Sequence, residues 1–222
     1  MYLKSIATLV LFASLNAASL AAPASLDDAI ADEGHRWAKI TYNTPDAGKE
    51  AAFVPLIAYS RQVTESFPGR AEPLIWQAII LSSAAKVEGG LGGLSKAKEA
   101  RDLLLAAEKI SPAALDGSVY NSLGSLYAKV PGWPIGFGDK KKAQEYFVKA
   151  LAINPNGIDP NYFYADLLAD EEEYAQAADH LKRALAASPR PGREDADAGR
   201  RQQARLLLDT IKQEHGDKLV SR

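Results

Sequence analysis

The side chains best suited to catalysis are few in this chain and are badly spaced for it. Three histidines occur, His35, His180 and His215. No two lie four apart, so no helical pair of zinc-binding histidines can form, and each reads as a helix-surface residue. Cysteine is absent, which excludes disulfides, thiolate nucleophiles and zinc clusters of the cysteine type. Gly89 to Lys96 is glycine-rich like a phosphate loop, but it ends Leu94-Ser95-Lys96 rather than Gly-Lys-Ser/Thr, and no strand leads into it. No Gly-x-Ser-x-Gly elbow appears. The carboxylate run Asp170 to Glu173 falls at a helix junction, where a solvated turn with charge at a helix N-terminus accounts for it. Arg190, Arg193, Arg200, Arg201 and Arg205 cluster near the C-terminus. Interleaved with Glu194, Asp195 and Asp197, they read as a solvated face, with contact to an anion or an acidic partner as the sharper alternative. These residues point away from an enzyme and call for no cofactor and no metal. They leave binding as the work to be explained.

The best binding chemistry lies in Val130–Asp139. Trp133, Ile135 and Phe137 are spaced by Pro134 and follow Pro131. Large aromatic side chains on a stiffened loop suit recognition. The alternative is that Trp133 and Phe137 fold back to fill a gap between helices.

The elements that position this loop are legible from a repeat. Ala143, Phe147, Ala150 and Pro155 recur 34 positions later as Ala177, Leu181, Ala184 and Pro189, and Ala100, Leu104, Ala107 and Pro112 carry the same spacing. Two alanines seven apart share one helix face and admit a close neighbour, the large residue between them fills the space, and proline ends the helix. Preceding helices carry Trp76, Ile79, Ile80 and Ser83, then Tyr120, Leu123, Gly124 and Tyr127, then Asn161, Tyr164, Ala165 and Leu168. Gly124 inside a helix costs about 1 kcal/mol relative to alanine, so it marks a close helix contact. From Tyr164 to Ala177 is 13 positions, from Leu123 to Ala143 is 20, and from Ile79 to Ala100 is 21. The extra residues place two inserted loops, Val87–Ser95 and Val130–Asp139, side by side along one edge of the stack.

Bulk properties agree. The chain has 222 residues and a formal charge of −2, with no basic excess to suggest nucleic acid. Lys4, the apolar run Ile6 to Leu15 and the small residues Ala17 to Ala24 form the three-part pattern of a secretory signal, cleaved after Ala21 or Ala24. The apolar run is shorter than the roughly 20 residues that span a bilayer. The expectation is an exported, periplasmic protein with no stable membrane insertion after cleavage, and no cysteine to carry a lipid. The division expected is 1–24 signal peptide, 25–70 a degenerate helix pair, 71–189 three repeat units, and 190–222 a capping helix and tail. Ser25 is the expected cap of the first helix, which runs to about Tyr42. The second runs from about Lys49 to Phe67, with Pro55 kinking it or marking a later start. The last helix, about Asp195 to Gln213, has an apolar face of Ala204, Leu207, Leu208 and Ile211 that caps the stack.

These spacings resemble the tetratricopeptide repeat superfamily over Ala71 to Pro189. The resemblance implies an all-α fold, an α-α superhelix of antiparallel helix pairs closed by a C-terminal capping helix, whose work is to hold a peptide or protein segment. In that family the first helix of each pair lines the concave groove. Here this singles out Gln77, Asn121, Ser125, Lys129, Tyr162 and Asp166 as binding candidates beside Trp133 and Phe137. The run Val130 to Asp139, followed by Asn154-Pro155-Asn156-Gly157, also resembles exported bacterial repeat proteins, including the T component of TRAP-type solute transporters. That component is a lipoprotein, from which this cysteine-free chain departs. Two functions follow as expectations. One is a non-enzymatic scaffold for a protein or peptide partner in the cell envelope; the other is a small-solute-binding accessory of a TRAP-type transporter. Oligomeric state is left open.

Overall fold

Alanines placed seven apart need a helix close against them, and the computed structural model, which describes residues 25–216, supplies one at every repeat. Its helices are α1 (Leu26–Ala38), continued by a π-helical turn at Lys39–Asn43, then α2 (Asp46–Ser66), α3 (Ala71–Glu88), α4 (Gly90–Ile110), α5 (Ala114–Lys129), α6 (Lys140–Ile153), α7 (Ile158–Asp170), α8 (Tyr174–Ala186) and α9 (Glu194–His215). The signal-peptide segment lies outside the described residues. No strand occurs among the described residues, only an isolated bridge between Gly132 and Gly138.

Three hairpins, α3–α4, α5–α6 and α7–α8, stack in sequence, and α2 packs on α3 ahead of them. The signature positions are their contact points. Ala100, Leu104 and Ala107, Ala143, Phe147 and Ala150, and Ala177, Leu181 and Ala184 are all at most 1% exposed. Gly124 meets the expectation set for it: a Cβ there would lie 2.7 Å from the Phe147 ring. The first-helix residues Trp76, Leu123, Tyr127 and Leu168 are likewise buried. The all-α array of antiparallel pairs is therefore a tetratricopeptide-like fold, built by the residues that announced it.

Local signals behave as their chemistry requires. Ser25 caps α1 by accepting a hydrogen bond from the Asp28 N–H, and Asp139 caps α6 by accepting from Lys142. Pro55 neither ends nor delays α2, which runs through it. The carbonyl four residues earlier belongs to Ala51, on the exposed face, where water can satisfy it.

Two expectations need correction. Gly89–Gly93 is not a loop. Gly89 and Gly90 turn the chain at φ +65° and +54°, and α4 begins at once. The extra residues of this unit lengthen α3 to 18 residues and α4 to 21, against 13 each for α7 and α8. The glycine run serves helix contact: a Cβ on Gly93 would stand 2.5 Å from the Ala85 carbonyl, so only glycine lets α4 leave α3 at this crossing. The second correction concerns α9. It caps α7 and α8 as expected but also reaches α1 and the π-helical turn. Gly199 lies against the Tyr42 ring, where a Cβ would fall 2.3 Å from Cγ. First and last helices meet, and the array is closed on itself.

Candidate functional site

The loop between α5 and α6 is tied at both ends. The Asp139 N–H donates to the Tyr127 carbonyl, Gly138 to Pro131, and Gly136 to Gly132, at 2.9, 2.9 and 3.1 Å. Phe137 is its anchor. The ring packs edge-on to Tyr127 at 5.4 Å, Arg101 of α4 lies over it at 4.5 Å, and Tyr127 continues a stacked ladder through Tyr146 to Tyr120. Burial pushes the Tyr146 hydroxyl up to about 12. With Phe137 fixed, Trp133 stands 90% exposed and Ile135 67% exposed. The two aromatics thus have different roles: Phe137 fills a gap, while Trp133 is presented to solvent. The loop also lies beside the start of α4 as expected, since a Cβ on Gly136 would touch Leu94 at 3.4 Å. Leu91, one turn earlier, is 86% exposed.

The other expected site residues are not arrayed along an open groove. Gln77 and Asn121 are buried, at 5% and 8% exposure. Lys129 is engaged across the hairpins, its ammonium 2.9 Å from Asp166 and 2.5 Å from Asp170. Tyr162 lies beneath the Arg200 guanidinium at 4.7 Å, with Phe163 beside it at 4.2 Å. Ser125 is half-buried on α5. At Tyr162 the reason is α9, which lies over α7, covers the ring with Arg200 and reaches α1.

The arginine cluster is the part the sequence concealed. Arg190 and Arg200 are not a solvated face. Arg190 donates through Nε to Asp197 at 2.8 Å and through Nη1 to Asp159 at 2.7 Å, and Asp197 also accepts from the Arg190 backbone N–H at 2.9 Å. Arg200, 7% exposed, donates to the other oxygen of Asp159 at 2.8 Å. Burial alone would raise the Asp159 carboxyl, but Arg200 and Arg190 overcome it and hold the group far below the usual carboxylate range. Arg193 differs. Among the described residues it has no carboxylate within salt-bridge distance, its Nε is buried without a partner, and its guanidinium stacks over Trp76 at 4.9 Å. Burial and neighbouring Arg190 push its pKa down. His180 is half-buried and bonded rather than free on a helix surface. Its Nδ1 lies 2.9 Å from Asn161 Oδ1, while the Asn161 amide donates to the Pro155 and Gly157 carbonyls. Asn161 so performs with hydrogen bonds what a large ring does at the equivalent Trp76 and Tyr120.

A cavity of about 310 Å3 opens where the N-terminal ends of α5, α7 and α9 converge, lined by Gly117, Ser118, Asn121, Asp159, Arg190 and Arg193 among others. Among the described residues, no group of histidine and carboxylate side chains is arranged to hold a metal ion. No helix of the described residues is long and apolar enough to cross a membrane.

No family model and no curated protein matches the chain. Among solved structures it is similar to a thermophilic TPR protein of Thermus thermophilus, at 16% identity and a TM-score of 0.42, covering 82% of this chain and 100% of that one.

Proposed function

We propose that this chain is an exported, non-enzymatic scaffold that binds a protein or peptide partner in the cell envelope through the edge formed by the loop 130–139 and the start of α4. The observation that carries the reading is Trp133. A ring left 90% exposed forgoes the roughly 1.5–3 kcal/mol that burying a large side chain yields. The loop around it is nonetheless tied by backbone hydrogen bonds and by Phe137. A fixed, exposed tryptophan, with Ile135 exposed on the same loop and Leu91 exposed at the start of α4, is a surface that gains by being covered, and such anchors dominate protein interfaces. Export is supported by Lys4, the apolar run Ile6 to Leu15 and the small residues after it.

A photo-crosslinking amino acid placed at position 133, with the chain expressed in its own cells, tests both parts. A discrete protein adduct in the envelope fraction is expected, absent when the same probe replaces the exposed Val148 of α6. Adducts no stronger at 133 than at 148, or a chain retaining Met1 in the cytoplasm, would overturn the proposal. The second reading, a small-solute-binding accessory of a TRAP-type transporter, is favoured by the polar cavity between α5, α7 and α9. Its size falls within the roughly 300–1,000 Å3 of small-molecule sites.

A further inference from the structure

We propose that the segment docking on this edge is acidic. An apolar side chain of the partner covers Trp133, and carboxylates beside it meet a basic rim made by Lys98 and Arg101 of α4 and Lys141 and Lys142 of α6. The inference rests on the scaffold reading and names the chemistry of its partner.

The loop tip sets the apolar part of this surface. Residues 131–138 include no charged side chain, and Pro131, Trp133, Pro134 and Ile135 are all exposed. The centre of an interface is poor in charge and its rim is polar. Either sign of rim charge would keep such a tip in solution, so an imbalance of sign is what selects a partner. The contacts show the imbalance. On one side, a Cβ on Gly136 would touch Leu94, and Arg101 lies over the Phe137 ring at 4.5 Å. Lys98 stands between Leu94 and Arg101 on the same face of α4 and is exposed. On the other side, the Lys142 ammonium lies 4.5 Å from the Tyr127 ring, which meets Phe137 edge-on. Lys140 and Lys141 share its turn.

Five cations, Lys98, Arg101, Lys140, Lys141 and Lys142, therefore border the tip against two carboxylates, Asp102 and Asp139. Both carboxylates are engaged: Asp102 pairs with Arg101 at 2.7 Å, and Asp139 accepts the Lys142 backbone N–H as the cap of α6. Nearby Glu88 is paired with Lys96, and Glu99 with Arg61. Lys140 donates to the Asp170 carbonyl at 3.4 Å. Lys98, Lys141 and Lys142 are exposed and have no carboxylate within salt-bridge distance among the described residues. The first turn of α6 holds three lysines and no acid, at the helix end whose free amides already present positive charge. A carboxylate arriving there relieves both. Acidic residues limit the rim elsewhere. Glu145 lies one turn further along α6, and Asp170 to Glu173 occupy the α7–α8 turn, tied to α5 and α6 through Lys129 and Lys140. An acidic segment is repelled on that side, so it leaves Trp133 toward α4.

The test adds charge variants to the crosslinking experiment. With the photo-crosslinking residue at 133, the double variant Lys141→Glu, Lys142→Glu is compared with the parent, and Lys98→Gln is made separately. Acidic residues suit the first turn of a helix, so the double variant should stay folded and melt close to the parent. Its adduct in a low-salt envelope extract should nonetheless fall about tenfold or more, as a steered encounter does when its charges are reversed. Lys98→Gln, which disturbs no helix end, should lower the adduct by a smaller factor. Raising the salt from about 50 to about 500 mM should weaken the parent's adduct as well. Mass spectrometry of the crosslinked peptide should find Asp or Glu in excess around the captured side chain. The inference fails if the folded variants give the parent's adduct, if salt leaves it unchanged, or if Lys and Arg dominate the crosslinked peptide. The parent chain is also sedimented with phosphatidylglycerol vesicles and should remain in the supernatant. Pelleting that is lost in Trp133→Ala and in the double variant would make the edge a membrane site and overturn the acidic segment. An adduct indifferent to charge removes this inference alone, whereas no adduct in the parent removes the scaffold reading and this inference with it.

Discussion

Glu33 on α1 is sealed from solvent, and neither of its oxygens has a hydrogen-bond partner among the described residues. Burial, with Asp32 adding to it, pushes its carboxyl up to about 8, so it is a neutral acid at pH 7. The native state then holds a proton that the unfolded chain releases above about pH 4.5. Its contribution is undiminished below that value and falls as pH rises toward 8. Glu33→Gln keeps the shape and removes the titration. Urea denaturation should find the variant within about 1 kcal/mol of the parent at pH 5 and more stable by roughly 2–4 kcal/mol at pH 8; equal differences at both pH values would show that Glu33 ionises normally. The loop offers a second test at this scale. Phe137→Ala should cost roughly 1–3 kcal/mol, below the roughly 3–5 kcal/mol of truncating a buried aromatic, because the ring is only half-buried. Trp133→Ala should stay within about 0.5 kcal/mol, as exposed substitutions do. Equal losses in the two variants would contradict the division of labour between them.

Helix pairing explains what could be read from the sequence and what could not. The 34-residue spacing was legible because each hairpin repeats one contact, and the contact itself selects alanine. Ala184, fully buried, and Ala186, exposed on the same helix, test the register. Ala184→Leu should destabilise by roughly 1–3 kcal/mol through overpacking, whereas Ala186→Leu should be near neutral by thermal melt, and indistinguishable melts would refute the register. Ala187 is half-buried and is the poorer control. Gly89–Gly93 misled because glycine signals a turn and a close helix crossing with the same letter. Here Gly89 and Gly90 make the turn, and Gly93 makes the crossing against Ala85. Of the two outcomes weighed for Pro55, the later helix start does not occur, because the cost of a mid-helix proline depends on whether the orphaned carbonyl meets water, which the sequence does not state. Of the expected site residues, the sequence placed Trp133 and Phe137 on the right loop. It assigned Gln77 and Asn121, which are buried, and Tyr162 to an open groove; for Tyr162, nothing local reveals that a distant helix covers it.

That covering is a property of the whole chain. The link between Asp159 and Arg190 spans 31 positions and that between Asp159 and Arg200 spans 41, distances at which no periodicity connects residues. The closure includes one close approach, Gly199 against Tyr42, with Ala196 buried in the same core cluster as Trp37 and Ala38 and an ion network beside it. Removing one member of such a network leaves an uncompensated charge, at a cost of about 3–5 kcal/mol, so the network alone cannot distinguish closure from general stability. Gly199 can. Any side chain there must displace the Tyr42 ring, while the ion pairs of Arg190 and the packing of α9 on α7 and α8 are left in place. Gly199→Val should therefore open the contact between α9 and α1 without unfolding the hairpins. Far-UV circular dichroism should change little. Small-angle X-ray scattering should show a larger radius of gyration, and limited proteolysis should cut sooner in the segment 187–193 that leads into α9. If the variant scatters and resists protease as the parent does, α9 is held by α7 and α8 alone, and its contact with α1 is incidental to the architecture.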